Sequence, residues 1–132
     1  MSLTESQIAR YERQILLPEV GGRGQNALLT STVRVGGSGA AAEELATYLA
    51  AGGIGSLLLD PSFPSDRRQF LEALNPDVRV SSDGEADFMV DCGDSEDRFV
   101  GAQNAMKVML ECIGAGESTQ WVRETGSWWS SC

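Results

Sequence analysis

The chain has 132 residues, 42% of them hydrophobic, with a net charge of −9 and no histidine. That length allows one domain around a modest core, and the lack of imidazole excludes Ser-His-Asp or Cys-His nucleophiles and every histidine metal site. Fourteen of the nineteen acidic groups lie after Leu59, a field that repels phosphate backbones and argues against a nucleic-acid partner.

Local patterns then predict the elements in chain order. Thr4 and Gln7 form a capping-box pattern ahead of a helix over 5–17, with Ile8, Tyr11, Ile15 and Leu16 on one face and Pro18 and the following glycines as its stop. A short helical piece over 24–30 completes an N-terminal helical arm, residues 1–31. A strand from Thr32 runs into the loop Gly36-Gly37-Ser38-Gly39, and a helix of small residues follows over 40–51. The strand Ser56-Leu57-Leu58-Leu59 ends on Asp60. Next come a loop between Pro61 and Pro64, a helix over 66–74 that stops at Asn75-Pro76, and strands over 78–81 and 88–91. A helix over 96–106, a fifth strand over 108–113 and an antiparallel edge strand over 120–124 complete the pattern. This alternation implies α/β architecture: a Rossmann-like three-layer fold with a mostly parallel sheet.

No apolar run approaches the roughly 20 residues of a membrane span, and no basic-then-apolar leader opens the chain. A cytoplasmic protein with no membrane partner is expected. Cys92, Cys112 and Cys132 are too far apart for a Cys-x-x-Cys pair, so free thiols and no zinc site are expected.

The chemistry lies first in the glycine loop. Gly37-x-Gly39-x-x-Ala42 is a variant of the dinucleotide fingerprint, which needs a tight turn, close backbone approach and a helix N-terminus aimed at phosphate. Asp60 closes the second strand, where a carboxylate can accept both ribose hydroxyls. It also reads as an aspartate opening a turn before Pro61. Strand, loop, helix, strand and acid together describe a module for NAD or another nucleotide.

The segment Arg10-Tyr11-Glu12-Arg13-Gln14-Ile15-Leu16-Leu17-Pro18, with the strand and glycine loop behind it, resembles the opening of the ThiF/MoeB/HesA family, bacterial relatives of ubiquitin-activating enzymes. The resemblance covers most of the chain and about the first half of a full-length member, so the chain reads as a single truncated nucleotide-binding domain over 1–132. A complete member binds ATP with Mg²⁺ and adenylates the C-terminal glycine of a ubiquitin-like or sulfur-carrier protein. Aligned on the family's Gly-x-Gly-Gly-x-Gly, the loop reads Gly36-Gly37-Ser38-Gly39-Ala40-Ala41, with Ser38 for the second glycine and Ala41 for the last.

By the same resemblance, Arg13 reaches across a dimer to the partner's ATP phosphates; by helix periodicity it is a solvent-facing residue beside Glu12 or Glu19. Ser65-Asp66-Arg67-Arg68-Gln69-Phe70 is similar to the family's Ser-Asn-Leu-x-Arg-Gln-Phe segment, one residue short, with Arg68 as phosphate clamp and Asp66 where an amide belongs. Its other reading is an exposed helix start. Phe88-Met89-Val90-Asp91-Cys92-Gly93-Asp94-Ser95 resembles the strand-Asp-Cys-Thr-Asp-Asn motif, which makes Asp94 the Mg²⁺ ligand; Asp94 also reads as a helix N-cap.

The family's ATP-binding lysine has no counterpart, because Gln69-Phe70-Leu71-Glu72-Ala73-Leu74-Asn75-Pro76 joins two landmarks that normally flank a further helix, and Lys107 is the only lysine. Trp129 stands where the first zinc cysteine would be. The resemblance therefore implies weakened or lost binding of ATP and Mg²⁺, no zinc, and weakened or lost adenylation. The alternative is a non-catalytic dimerisation or regulatory subunit, a homodimer or a heterodimer with a full-length homologue.

Overall fold

Val33 and Val35 alternate with Thr32, Arg34 and Gly36, and this two-residue period forms β1 (Thr32–Gly36) with both valines fully buried. The computed structural model describes residues 3–16, 20–114, 122–124 and 127–131. Its sheet has the order β3-β2-β1-β4-β6-β5, made of β1, β2 (Ser56–Leu59), β3 (Arg79–Ser81), β4 (Phe88–Asp91), β5 (Val122–Glu124) and β6 (Ser127–Ser131). β1 to β4 and β6 run parallel, and β5 closes the edge antiparallel to β6, with Glu124 opposite Ser127. The fold is α/β and Rossmann-like, and the edge strand lies where the sequence puts it, although residues 120 and 121 fall outside the described residues. β6 is unforeseen: it comes from the Trp128-Trp129 segment and pairs with β4 from Phe88 to Asp91.

The small residues after the glycine loop form α4 (Ala40–Gly52), and Ala41, Ala42, Leu45, Ala46, Leu49 and Ala50 are completely buried. Gly53 ends it at φ 91°, in the left-handed region where glycine is favoured, and the Ile54 amide returns to Leu49 O at 3.1 Å. α4 packs most extensively against α6 (Arg98–Cys112). A Cβ added at Gly101 would lie 2.2 Å from Ala41 O, so the two backbones meet where neither has a side chain. α6 also holds the stretch expected as a fifth strand over 108–113. Gly101, Asn104, Ala105 and Val108 are buried, and Met109 and Cys112 pack on the core. That spacing is helical, and it carries the apolar run Val108-Met109-Leu110 into the helix rather than into the sheet.

The expected helix over 5–17 is two short pieces, α1 (Glu5–Arg10) and α2 (Glu12–Ile15), followed by α3 (Gly21–Leu29). Its capping box forms as the sequence specifies. The break comes at Tyr11, whose ring is only 2% exposed and whose hydroxyl donates to Asp77 Oδ2 at 2.8 Å and accepts from Asn75 Nδ2 at 2.8 Å. Turning Tyr11 inward splits the apolar stripe, so Ile8 and Leu16 remain exposed. The Pro18 stop lies outside the described residues.

α5 (Ser65–Leu74) joins α4 through an Arg67–Glu43 ion pair of 3.1 Å. The buried apolar residues of α3 to α6 form one cluster with Val33, Val35, Leu57, Leu59, Phe88 and Val90. Across the opposite face, Arg34 holds the 82–87 connection by donating to Gly84 O at 3.0 Å. Cys112 is free, as expected, and burial chiefly pushes its thiol up to about 11. Cys92 corrects the expectation, for it is disulfide-bonded. Cys132 lies outside the described residues. No described helix is long and apolar enough to cross a membrane.

Candidate nucleotide site

The strand order turns at β1, which lies between β2 and β4, so the carboxyl ends of three strands converge there. In open α/β sheets such a switch point forms the ligand crevice. Arg34, Gly36, Asp60, Met89, Val90 and Asp91 line a hollow of about 150 Å³ at this point. Drug-sized ligands take about 300–1,000 Å³, so the hollow suits a sugar rather than a whole nucleotide.

Asp60 stands at the rim of the hollow, and its turn reading is the one its bonds show. Its Oδ1 accepts from the Ser62 amide at 3.0 Å and the Ser62 hydroxyl at 2.8 Å, which builds the turn into Phe63. Those two bonds, then the Gly37 amide and the Arg34 charge, hold its carboxyl below the usual carboxylate range. It is therefore an ionised acceptor facing the hollow, as a ribose contact requires.

The remaining loop residues face protein. A Cβ at Gly37, where φ is 101°, would lie 2.2 Å from Gly93 O, and one at Gly39 would lie 2.5 Å from Ser95 O. The Ser38 amide donates to Gly93 O at 3.3 Å and the Ala41 amide to Ser95 O at 3.0 Å. Ala40, first residue of α4, donates to Glu96 Oε2 at 3.3 Å. The cradle expected for phosphate is thus filled by residues 93–96, and the Ala40 and Ala41 amides at the helix N-terminus are already engaged.

Asp94 is exposed in the turn beside Gly39. It is not the helix cap: Asp97 holds that place, its Oδ1 accepting from Phe99 N at 3.1 Å and Val100 N at 3.3 Å. Arg68 is half-buried on α5 and does not line the hollow. Arg13 sits on α2, next to Gln14, which donates to Gly52 O at the far end of α4. Thirteen helical residues span roughly 20 Å, so Arg13 is remote from its own glycine loop. Its neighbours are all tied down: Arg10 pairs with Asp77 at 2.5 Å, Tyr11 with Asn75 and Asp77, and Gln14 with Gln25 at 2.6 Å. Arg13 is exposed, with no partner among the described residues.

Three residues of the site were not singled out by sequence. Arg34 was legible as a charge on the solvent side of an apolar strand, and Asp91 as the first acid of its motif. Glu96 has no local signal within its acidic run. Among the described residues no three metal-ligating side chains converge.

No protein-family model matches the chain. The adenylyltransferase and sulfurtransferase MOCS3 of Danio rerio is 53% identical over 60 residues, 45% of this chain and 13% of that protein. The heterocyst protein HesA of Trichormus variabilis is 31% identical over 104 residues, 62% of this chain and 39% of that protein. The SAMP-activating enzyme E1 of Haloferax volcanii is 44% identical over 59 residues, 45% of this chain and 22% of that protein. The chain thus spans well under half the length of these relatives. In structure it is similar to the E. coli tRNA N6-threonylcarbamoyladenosine dehydratase TcdA in complex with ATP, with a TM-score of 0.58 at 15% identity over 92% of this chain and 67% of that one. That likeness establishes the fold, and the sequence matches, each over part of the chain, make it similar to proteins of the ThiF/MoeB/HesA family.

Proposed function

We propose that this chain is a nucleotide-binding relative of the ATP-dependent adenylyltransferases whose adenylation of a ubiquitin-like or sulfur-carrier C-terminus is weakened or lost. The observation that carries this reading is the divided site, in which the ribose end is built and the phosphate end is filled. Asp60 and the hollow fit the ribose of a nucleoside. Residues 93–96 occupy the glycine cradle, so a triphosphate does not fit this conformation. In a phosphate-bearing complex Gly36, Gly37, Ser38 and Gly39 would face the nucleotide, Arg68 the phosphates and Asp94 the Mg²⁺, which would supply charge neutralisation there.

The missing lysine and the carboxylate of Asp66 remove one favourable charge contact and add an unfavourable one, together about 2–4 kcal/mol. A micromolar site then moves toward millimolar. Calorimetric titration with ATP and Mg²⁺ should give a Kd near the millimolar range, and ATP–pyrophosphate exchange should be absent. Micromolar affinity or rapid exchange would contradict the reading.

The exposed Arg13, without a partner among the described residues, favours a paired molecule. In a homodimer, or a heterodimer with a full-length homologue, it would serve the partner's site. A cytoplasmic setting, where ATP and carrier proteins coexist, completes the proposal.

A further inference from the structure

The turn after β4 is built to lie on the glycine loop. Gly93 adopts φ 55°, a region that β-branched residues avoid, and it stands where the resembled motif has threonine. Asp91 Oδ1 fixes the turn by accepting the Gly93 amide at 3.0 Å, and the Ser95 amide returns to Cys92 O at 3.1 Å. Gly93 O and Ser95 O then face the Ser38 and Ala41 amides, and the Glu96 carboxylate reaches the Ala40 amide. Glu96 is itself exposed and Asp97 caps α6 independently, so the turn can lift without unravelling the helix.

We propose that residues 93–96 are an intramolecular latch over the phosphate end of the site, with the Glu96 carboxylate in the anion position at the α4 N-terminus. A ligand bearing phosphate competes with Glu96 for the Ala40 amide and with Gly93 O and Ser95 O for the Ser38 and Ala41 amides, and binds only when the latch lifts. A nucleoside seats its ribose in the hollow and, lacking phosphate, does not compete with the latch. The proposal rests on the nucleotide reading above and names the regulation of that site.

Binding of adenosine, ATP with Mg²⁺ and inorganic pyrophosphate with Mg²⁺ to the wild type, Glu96→Gln and Glu96→Ala tests it. The side chain is exposed, so unchanged melting curves are the folding control. The variants should bind pyrophosphate and ATP at least about fivefold more tightly than the wild type, with adenosine affinity equal in all three. Equal pyrophosphate affinity in the three forms, or binding by none, overturns the latch. Failure of adenosine to bind any form overturns the nucleotide reading, and the pyrophosphate comparison then judges the latch by itself.

Discussion

Tyr11 shows how much of the arm depends on one side chain. Its hydroxyl links Asp77 and Asn75, and the Asn75 amide also reaches Ala50 O at 2.9 Å, so the arm is tied to the end of α4. Tyr11→Phe keeps the ring and should cost about 1–2 kcal/mol in urea unfolding. Burial, above all, raises the Tyr11 pKa, with Asp77 adding to it. A folded value above the unfolded one means that the contribution is complete below the ordinary tyrosine pKa of about 10 and is lost as pH rises through the folded value. Melting temperatures followed into that alkaline range should fall more steeply for wild type than for Tyr11→Phe. The two acids after β4 make a second contrast at this scale. Asp97→Ala removes the α6 cap and should destabilise by about 1 kcal/mol, whereas Asp94→Asn should leave the melting temperature unchanged. Equal effects would mean that the cap is assigned to the wrong residue.

Between the described elements, the α4–α6 contact is the most extensive, and Gly101 makes it possible. Gly101→Ala drives a methyl against Ala41 O and should cost about 1–3 kcal/mol, read as a lowered denaturation midpoint. An unchanged midpoint would show that the helices slide apart cheaply. The same contact explains why the stretch over 108–113 reads as strand and folds as helix. A short apolar run fits either period, and Gly101, seated on Ala41 of α4, decides it.

For the whole molecule, the exposed Ile8, Leu16 and Arg13 all belong to the arm. A two-fold pair burying this region should sediment at twice 14.1 kDa at micromolar concentration. A single 14.1 kDa species would remove the trans role for Arg13. β1, β2, β4 and α4 were legible from the sequence because each carries its own period, and the Thr4 capping box because its partners lie three residues apart. Asp60 was legible for the same reason, at the end of a strand whose apolar run announces it. β6, the break at Tyr11 and the contents of the glycine loop were not. Ala40 and Glu96 are 56 residues apart, and no local pattern records which carboxylate will cap which helix. A glycine pattern determines only that something approaches the backbone closely; tertiary structure decided that the approaching group is the protein's own Gly93 and Ser95, because that contact exists only once β4 is seated beside β1.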